Sequence, residues 1–545
     1  MAIARKARPS LLQSRVTTFL LLCLSLLTSP FTLLVTLFFY TFTAVTGIFL
    51  GSSFRNDTKH PAKTVLVTGA RANKALTLCR AFKKAGCRVI LAEEARWGKL
   101  TCAQFSRAVD HYLLLPDPAT DPDEYILAIH RIVTRCNVDA WVPCSSVHAT
   151  MVDSEAAAQI VAESRDILNT HICRPFIPFP EVCGTLHWKD QFEDLCIELG
   201  YPVPESQKVT SVQEAVDFLH SPETFAKGDK YLLKSLSLDD LGRDDFTLLP
   251  LATREETSWH LSNVPTPLSE QHPFLLQRFL FGNEYCTHVA ARDGTIVAFV
   301  ACRSNQLLMR YGDVRNLSAE EHEVGIRLEE WSQQFLERYK AKLEREGKTS
   351  WSYALTGHFS FDFIVENDVI YVLECNVVSG VPPVCAYVFL TLLFAQRAHT
   401  AVALFSEHPS LGLHYLGTAP PDEDLVARPA SGTAPRSWLA HALPLTLARL
   451  LPQKICSSIH PQLLSTIYPS DTSDPTMSPL PGENVLELLW RYLSGAERDG
   501  IWDWTDPVPF FVLCHIQWPW LLLRPVWRGV AWSRVNVSTS RVFEC

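Results

Sequence analysis

Between Val16 and Phe54 the chain carries no charged side chain, and Val16–Leu50 is apolar almost throughout. A helix crossing a bilayer needs about 20 apolar residues, so this run is too long for one ordinary span and slightly short for two. Ser29-Pro30 interrupts it near its middle. Arg5, Lys6, Arg8 and Arg15 precede it, and Arg55, Lys59 and Lys63 follow it. Cytosolic flanks carry the excess of Lys and Arg, so this symmetry favours a membrane hairpin with both ends in the cytosol over a single span. A cleaved signal peptide has an apolar core of only about 7–15 residues. Residues 1–60 therefore read as an anchor that meets membrane lipid, with the remainder facing the cytosol, most simply at the endoplasmic reticulum.

At 545 residues the chain exceeds what one hydrophobic core organises, so two or three domains are expected. A net charge of −9 gives no reason to propose nucleic-acid binding. The 16 cysteines show no C-x-x-C pair or tight Cys/His grouping, which argues against zinc and for reduced cytosolic thiols. Sequons at Asn56, Asn316 and Asn536 would matter only in a secretory lumen.

Lys63–Glu94 reads strand, turn, helix, strand. Val65–Val67 is a buried strand, Gly69 allows the turn, Lys74–Lys84 is amphipathic, and Val89–Ala92 is the second strand. A helix over Asp123–Arg135 leads to a third strand, Asp139–Pro143, which ends in Cys144-Ser145-Ser146. This is the pattern of a doubly wound α/β unit. Its turn, G-A-R-A-N-K, lacks the second and third glycines that let a backbone approach a pyrophosphate, so a dinucleotide is disfavoured.

His358–Gly380 (HFSFDFIVENDVIYVLECNVVSG) places two apolar strands around a polar turn at Asn367-Asp368. Alternation puts Asp362 on one face with Ser360 and Ile364, and Glu374 with Asn376 on one face of the returning strand. Folding about the turn brings Asp362 within about one residue of Glu374. Two carboxylates and an amide carbonyl suit a hard cation such as Mg²⁺ carrying phosphates. Polar residues merely facing water are the plainer alternative, but these acids interrupt strands of Phe, Ile, Val and Leu.

Upstream, Thr185–Gly200 reads as a helix with Lys189 at its start, and Lys234 ends the apolar strand Tyr231–Ser235. Each alone is a surface charge; two of them ahead of an acidic hairpin suit a triphosphate. Phe274–Glu284 is a strand running into a loop at Gly282, and 287–291 with 296–301 forms a hairpin at Asp293-Gly294. Ala401–Pro444 and Tyr468–Pro481 are turn-rich and read as loops or linkers. In Ile501–Cys545, Trp518, Trp520, Trp527 and Trp532 alternate with Arg524, Arg528 and Arg534, as at a membrane interface or in a segment packed on the core.

Taken in order, these motifs resemble the ATP-grasp superfamily, and more narrowly the mycosporine-glycine synthase type with its fungal secondary-metabolite relatives. The likeness runs from about Lys63 to Phe394. It is carried by TGARANKALTLCRAF, RVILAEE, FSRAVD, VPCSSV, HWKDQF, YLLKSLSLDD, LLQRFLFGNEYCTH, GHFSFDF and LECN, with WDWTDPVPFF further on. The resemblance implies an α/β chain, α+β in its C-terminal half: a Rossmann-like pre-ATP-grasp domain over 61–180, an ATP-grasp domain over 181–400, and a Pro-rich linker with an aromatic-rich C-terminal region over 401–545. It implies that Lys189 and Lys234 contact ATP, that Gln277, Arg278, Phe279 and Leu280 form the hinge reading adenine, and that Glu284 lies near the ribose. Asp362, Glu374 and Asn376 would hold Mg²⁺, with Mn²⁺ as a substitute. The family activates a substrate oxygen by phosphorylation, and an amine then displaces the phosphate. Such ligases usually continue the metal strand as E-x-N-P-R, whereas this chain reads Glu374-Cys375-Asn376-Val377-Val378. Arg303, Arg310 or Arg315 would have to supply the missing charge, with Arg303 and Arg310 the catalytic candidates.

The sequence thus points to an ATP- and Mg²⁺-dependent ligase joining an amino acid's amine to a small metabolite, alone or as a homodimer. An NAD(P)-dependent reductase built on residues 63–147 and an inactive, membrane-tethered nucleotide-binding scaffold are the alternatives. The reductase would leave both lysines and the acidic hairpin without a role.

Overall fold

The computed structural model describes residues 9–50, 63–98, 100–145, 147–166, 172–236, 247–264, 266–304, 310–377, 401–420, 424–448, 450–451, 458–459, 484–536 and 540–544. Asn56, Ser146, Val378–Gly380 and the turn-rich Tyr468–Pro481 lie outside them.

The N-terminal apolar run is one continuous helix, α1 (Leu11–Leu50), with Pro30 inside it. This corrects the expected hairpin. A proline inside a helix leaves the carbonyl four residues back without its N–H donor. Here that carbonyl belongs to Leu26, and the Ser29 hydroxyl donates to it at 2.9 Å. Ser29-Pro30 therefore repairs locally the break it would otherwise make. Over Leu11–Thr46 the helix is long and apolar enough to cross a membrane, by length and composition alone.

Strands β1 (Thr64–Thr68), β2 (Arg88–Glu94), β3 (His111–Leu115), β4 (Ala140–Pro143) and β5 (Arg174–Pro175) form a parallel sheet in the order β3-β2-β1-β4-β5. Helix α2 (Asn73–Lys84) packs with Val65, Val67, Val89 and Leu91 on one face. Helices α3 (Pro122–Cys136) and α4 (Val147–Asp166) pack with Leu66, Ile90 and Ala92 on the other. Burial on both faces explains why β1 and β2 read as unbroken apolar runs. The edge strands β3 and β5 escape a sequence reading, β3 because it is largely exposed and β5 because it has two residues.

Helices α5 (Pro180–His187) and α6 (Lys189–Glu198) are separated by an extended Trp188, which leaves Lys189 at the first position of α6. Strands β6 (Ser206–Val209), β7 (Tyr231–Ser235) and β8 (Phe274–Arg278) form a small antiparallel sheet in the order β6-β8-β7. A second antiparallel sheet takes β9 (Asn283–Arg292) and β10 (Thr295–Arg303), then, after the two-residue β11 (Arg310–Tyr311) and the long α7 (Ala319–Arg345), β12 (Gly357–Glu366) and β13 (Val369–Asn376), in the order β10-β9-β12-β13. One face carries Tyr285, Phe359, Phe361 and Phe363 against Trp331, Phe335 and Leu336 of α7. The opposite face carries Cys286, Ala290, Val300 and Cys302 toward the parallel sheet.

The turn-rich Ala401–Pro444 is not a linker. Ala401–Phe405 is wholly buried, and Leu411, Tyr415 and Leu416 sit in the same core as Cys79, Phe82 and Val300. The approach to α2 is so close that a Cβ on Gly412 would lie 2.6 Å from the Ala81 carbonyl oxygen. Pro- and Ser-rich flanks hid these short apolar runs. The chain continues through β14 (Arg436–Ser437), α8 (Leu439–Ala448), α9 (Val485–Ser494) and β15 (Arg498–Asp499), with β11-β14-β15 forming a third small sheet. Helices α10 (Val508–Val512) and α11 (Trp518–Trp527) are joined by a π-helical turn and followed by the hairpin β16 (Trp532–Asn536) and β17 (Arg541–Glu544). This region is bound into the body: buried Arg80 of α2 donates from Nε to Asp506 at 2.9 Å and from Nη1 to the Ile501 carbonyl at 2.8 Å.

Candidate functional site

The hairpin β12–β13 turns through Asn367 and Asp368, both with positive φ (50° and 63°), which matches the right-handed twist of its strands. Its register sets Asp362 directly opposite Glu374 and Ser360 opposite Asn376. On the other side Asp362 pairs with Cys286 of β9. Asp362, Ser360, Glu374 and Asn376 therefore share the face turned from α7, and all four are buried. The polar residues do not face water.

Lys189, brought in by the α5–α6 break, places Nζ 2.9 Å from a Glu374 carboxylate oxygen. The Asn376 amide donates to the other Glu374 oxygen at 3.4 Å. Lys234, at the end of β7, donates its ammonium to the Gln277 side-chain oxygen of β8. The Lys234 pKa is lowered from 10.5 to about 8, chiefly by burial and then by the Lys189 charge, against the opposing pull of Glu374, Glu284 and Glu193. The geometry thus gathers Lys189, Lys234, Gln277, Glu284, Asp362, Glu374 and Asn376 into one site between the two antiparallel sheets.

The remaining hinge residues are placed differently. The Arg278 and Phe279 N–H groups donate to the Glu205 and Lys230 carbonyls at 2.8 and 2.6 Å, so neither donor is open. The Arg278 guanidinium reaches Glu366 at 3.2 Å and lies over the Tyr371 ring. Leu280 is buried. Gly282 is required where it stands: a Cβ there would lie 2.2 Å from the Val365 carbonyl oxygen, so the loop lies directly on the β12–β13 hairpin.

Arg303 and Arg310 are not brought to the acids. Arg303 pairs with Tyr285, whose neighbours face α7, and its Nε lies 3.1 Å from Glu321. Arg310 belongs to the β11-β14-β15 sheet and pairs with Glu497 at 3.1 Å. Arg315 is bonded to Asp313. Counting arginines by distance along the chain could not reveal that β10 and β11 point them elsewhere. Val377 is fully buried in the aromatic core.

A second concentration of titratable groups went unseen in the sequence. It lies between β1 and β4, where the parallel strand order reverses and where such sheets take ligands. Gly69 (φ 88°) is so close to β4 that a Cβ would sit 2.3 Å from the Cys144 carbonyl oxygen. The Thr68 and Ser145 hydroxyls are 2.9 Å apart, and Tyr125 donates to Asp153 at 2.7 Å. Burial raises Asp153 to about 7 and lowers Lys74 to about 8. Glu93 accepts the Arg71 N–H at 2.5 Å and the Glu94 N–H at 3.0 Å, so the acid where a dinucleotide's ribose would bind already caps the turn. Deeper in, the Tyr415 hydroxyl bridges His288 (3.1 Å) and His358 (3.0 Å). Burial holds His288 neutral, with its pKa near 3, and pushes His358 well below its usual value.

The donor set fits a hard divalent cation bound through phosphate: two carboxylates and one amide oxygen, with the remaining positions left to phosphate and water. Among the described residues no group of three His, Cys, Asp or Glu side chains forms a self-sufficient metal cage. Lys189 occupies part of Glu374, so a cation would share or displace that contact.

No family sequence profile matches the chain, and no curated protein sequence matches it. Among solved structures it is similar to a phosphoribosylamine–glycine ligase from Thermotoga maritima (TM-score 0.41, 15% identity, 68% of this chain and 78% of the other). It is also similar to a biotin carboxylase from Campylobacter jejuni crystallised with an ATP analogue (0.44, 15%, 66% and 72%). An L-amino acid ligase from Bacillus licheniformis is a third (0.36, 11%, 59% and 69%).

Proposed function

We propose that the protein is an ATP- and Mg²⁺-dependent ligase of the ATP-grasp type that joins an amino acid's amine to a small metabolite in a secondary-metabolite pathway, acting from a cytosol-facing membrane attachment. The observation that carries this reading is the direct cross-strand pairing of buried Asp362 and Glu374, with Lys189 on Glu374 and Lys234 beside it. Buried acids and lysines at this density are costly unless they meet a ligand of mixed charge. A nucleotide triphosphate with its cation is such a ligand. The bound cation would neutralise phosphate charge as it develops. Lys189 and Lys234 would bind phosphate oxygens, Glu284 and Gln277 would orient the nucleotide, and Asp362, Glu374 and Asn376 would fix the cation. In the reaction a substrate carboxylate oxygen takes the γ-phosphoryl group and ADP leaves. The amine nitrogen then attacks the activated carbon, the C–N bond forms, the C–O bond to phosphate breaks and the nitrogen loses a proton.

The scaffold reading draws support from one observation: Arg303, Arg310 and Arg315 are all committed to carboxylates away from the hairpin. Incubating the full-length protein in detergent with ATP, Mg²⁺, pooled amino acids and candidate acids separates the readings. The ligase releases ADP and phosphate only when both substrates are present. ATP binding with no ADP from any pool establishes the scaffold, and nicotinamide turnover without ATP establishes the reductase.

A further inference from the structure

Helix α1 presents two chemically distinct faces. One runs through Ser14, Thr18, Leu21, Ser25, Thr28, Thr32, Thr36, Phe39 and Thr43, positions three or four apart that fall on a single stripe. The protein body engages this stripe from end to end. The Ser14 hydroxyl accepts the Trp532 N–H at 3.1 Å, and Thr18 accepts the Trp532 indole N–H at 3.0 Å. Ser25 and Thr32 hold the two ring nitrogens of His515 at 3.0 and 2.6 Å. Phe39 meets Trp502 edge-on at 5.6 Å, and Arg107 donates to the Tyr40 carbonyl and the Thr43 hydroxyl.

From Ser14 to Thr43 a helix rising 1.5 Å per residue covers about 44 Å. The hydrocarbon core of a bilayer is about 30 Å thick. Were α1 to cross it in this arrangement, His515 and the neighbouring Trp518 and Leu522, which lie against Leu21–Thr32 in the middle of the helix, would be dragged into hydrocarbon with the backbone that carries them. The arrangement instead lays α1 along the body.

The opposite stripe is mostly hydrocarbon, with Arg15, Cys23 and Thr41 the exceptions. Leu12, Phe19, Leu26, Leu27, Phe31, Leu34, Phe38 and Val45 are exposed, Leu27 to 79%. The exposed face continues onto two further helices that adjoin α1 around an apolar cavity of about 330 Å³, lined among others by Leu24, Leu443, Leu489 and Leu522. On α9, Leu486, Leu489, Trp490 and Leu493 point outward; on α11, Trp520, Leu523 and Trp527 do so, Trp527 to 90%. An exposed apolar patch on three helices exceeds what a soluble monomer ordinarily shows. Its charged positions are few: Arg15 is exposed at one end, Arg528 at the other is paired with Glu544, Arg524 lies over Trp97, and Glu487 serves in the α9 capping box. Three arginines thus face two glutamates locally, on a chain whose net charge is −9. Tryptophans with a cationic rim match the headgroup zone of an anionic bilayer.

We propose that α1 is not a transmembrane span but lies in the membrane plane, forming with α9 and α11 a monotopic face that binds an anionic phospholipid bilayer. Protein covers the hydroxyl stripe and lipid the hydrocarbon stripe. The inference is independent of the ligase reading.

The test is flotation of full-length protein with phosphatidylcholine vesicles containing phosphatidylglycerol, comparing wild type with a Trp490→Glu/Leu493→Glu/Trp527→Glu variant. These side chains are exposed, so circular dichroism should report an unchanged fold. In-plane docking predicts at least a tenfold loss of vesicle-bound protein, and binding that rises with the phosphatidylglycerol fraction. A spanning or hairpin α1 would hold the protein whatever α9 and α11 carry, so undiminished binding overturns the proposal. A wild type that stays off vesicles as an oligomer also overturns it, in favour of a face between copies. An N-terminal tag and the residues after 63 should be equally open to protease from one side of sealed vesicles; protection of the tag alone refutes the in-plane placement.

Discussion

Replacing Glu374 by Gln tests the site at its centre, because this side chain faces Asp362 across the hairpin and holds Lys189 at 2.9 Å. At that separation two unit charges in a medium of effective dielectric about 20 attract by about 6 kcal/mol. Desolvation offsets most of this, and Lys189 retains enough exposure to turn toward solvent. The net loss of fold stability should therefore be about 1–2 kcal/mol, a fall of only about 1–2 °C in Tm for a chain this large. Catalysis should suffer far more. Halving the carboxylate charge of a two-carboxylate site should raise the Mg²⁺ concentration needed for half-maximal turnover at least 100-fold, equivalent to about 2.8 kcal/mol. Thermal denaturation and Mg²⁺ titration of ADP release measure the two effects separately. A variant that turns over normally at wild-type Mg²⁺ removes the hairpin from the mechanism; one that fails to fold shows that the Lys189 pair is structural.

Lys234 supplies a pH test. Its folded pKa of about 8 lies below the unfolded 10.5, so in the free protein its charge is lost as pH rises through about 8, and the affinity for nucleotide should weaken from pH 7 to 9.5. Over that interval the unfolded chain binds more protons than the folded one, so this group's contribution to stability rises with pH while its contribution to binding falls. Lys234→Met should flatten the binding profile, as nucleotide titrations at several pH values will show. Gly282→Ala should push the 279–284 loop off Val365 and weaken nucleotide binding about tenfold or more with little change in Tm, a split that calorimetry resolves. Tyr415→Phe removes the hydroxyl shared by His288 and His358 and should cost about 1–3 kcal/mol, read by urea denaturation.

Much of the site was legible because its logic is local. A strand's period of two and a two-residue turn suffice to set Asp362 against Glu374, whereas the break at Trp188 that splits Thr185–Gly200 between α5 and α6 was not legible. Arg303 and Arg310 were not legible, since their facing depends on which edge of which sheet β10 and β11 occupy. Composition misled at Ala401–Leu416, where short apolar runs lie among turn residues yet fill the core between two sheets. It misled again at Ser29-Pro30, where a hydroxyl on the preceding residue cancels the break. The cluster between β1 and β4 is assembled from Thr68, Lys74, Tyr125 and Asp153, which only the folded sheet brings together.

The partnership between Ser14 and Trp532 has a consequence for how the chain is made. The two residues are 518 positions apart. At a synthesis rate of about 5–20 residues per second, α1 waits roughly half a minute to two minutes before its seat exists. During that time the most apolar segment of the protein has emerged and has nothing of its own to cover it. Newly made chains should therefore reach a membrane surface or a holding chaperone before they are complete, and arrest of translation short of Trp532 should leave α1 held by that early host rather than by the body it finally lies on.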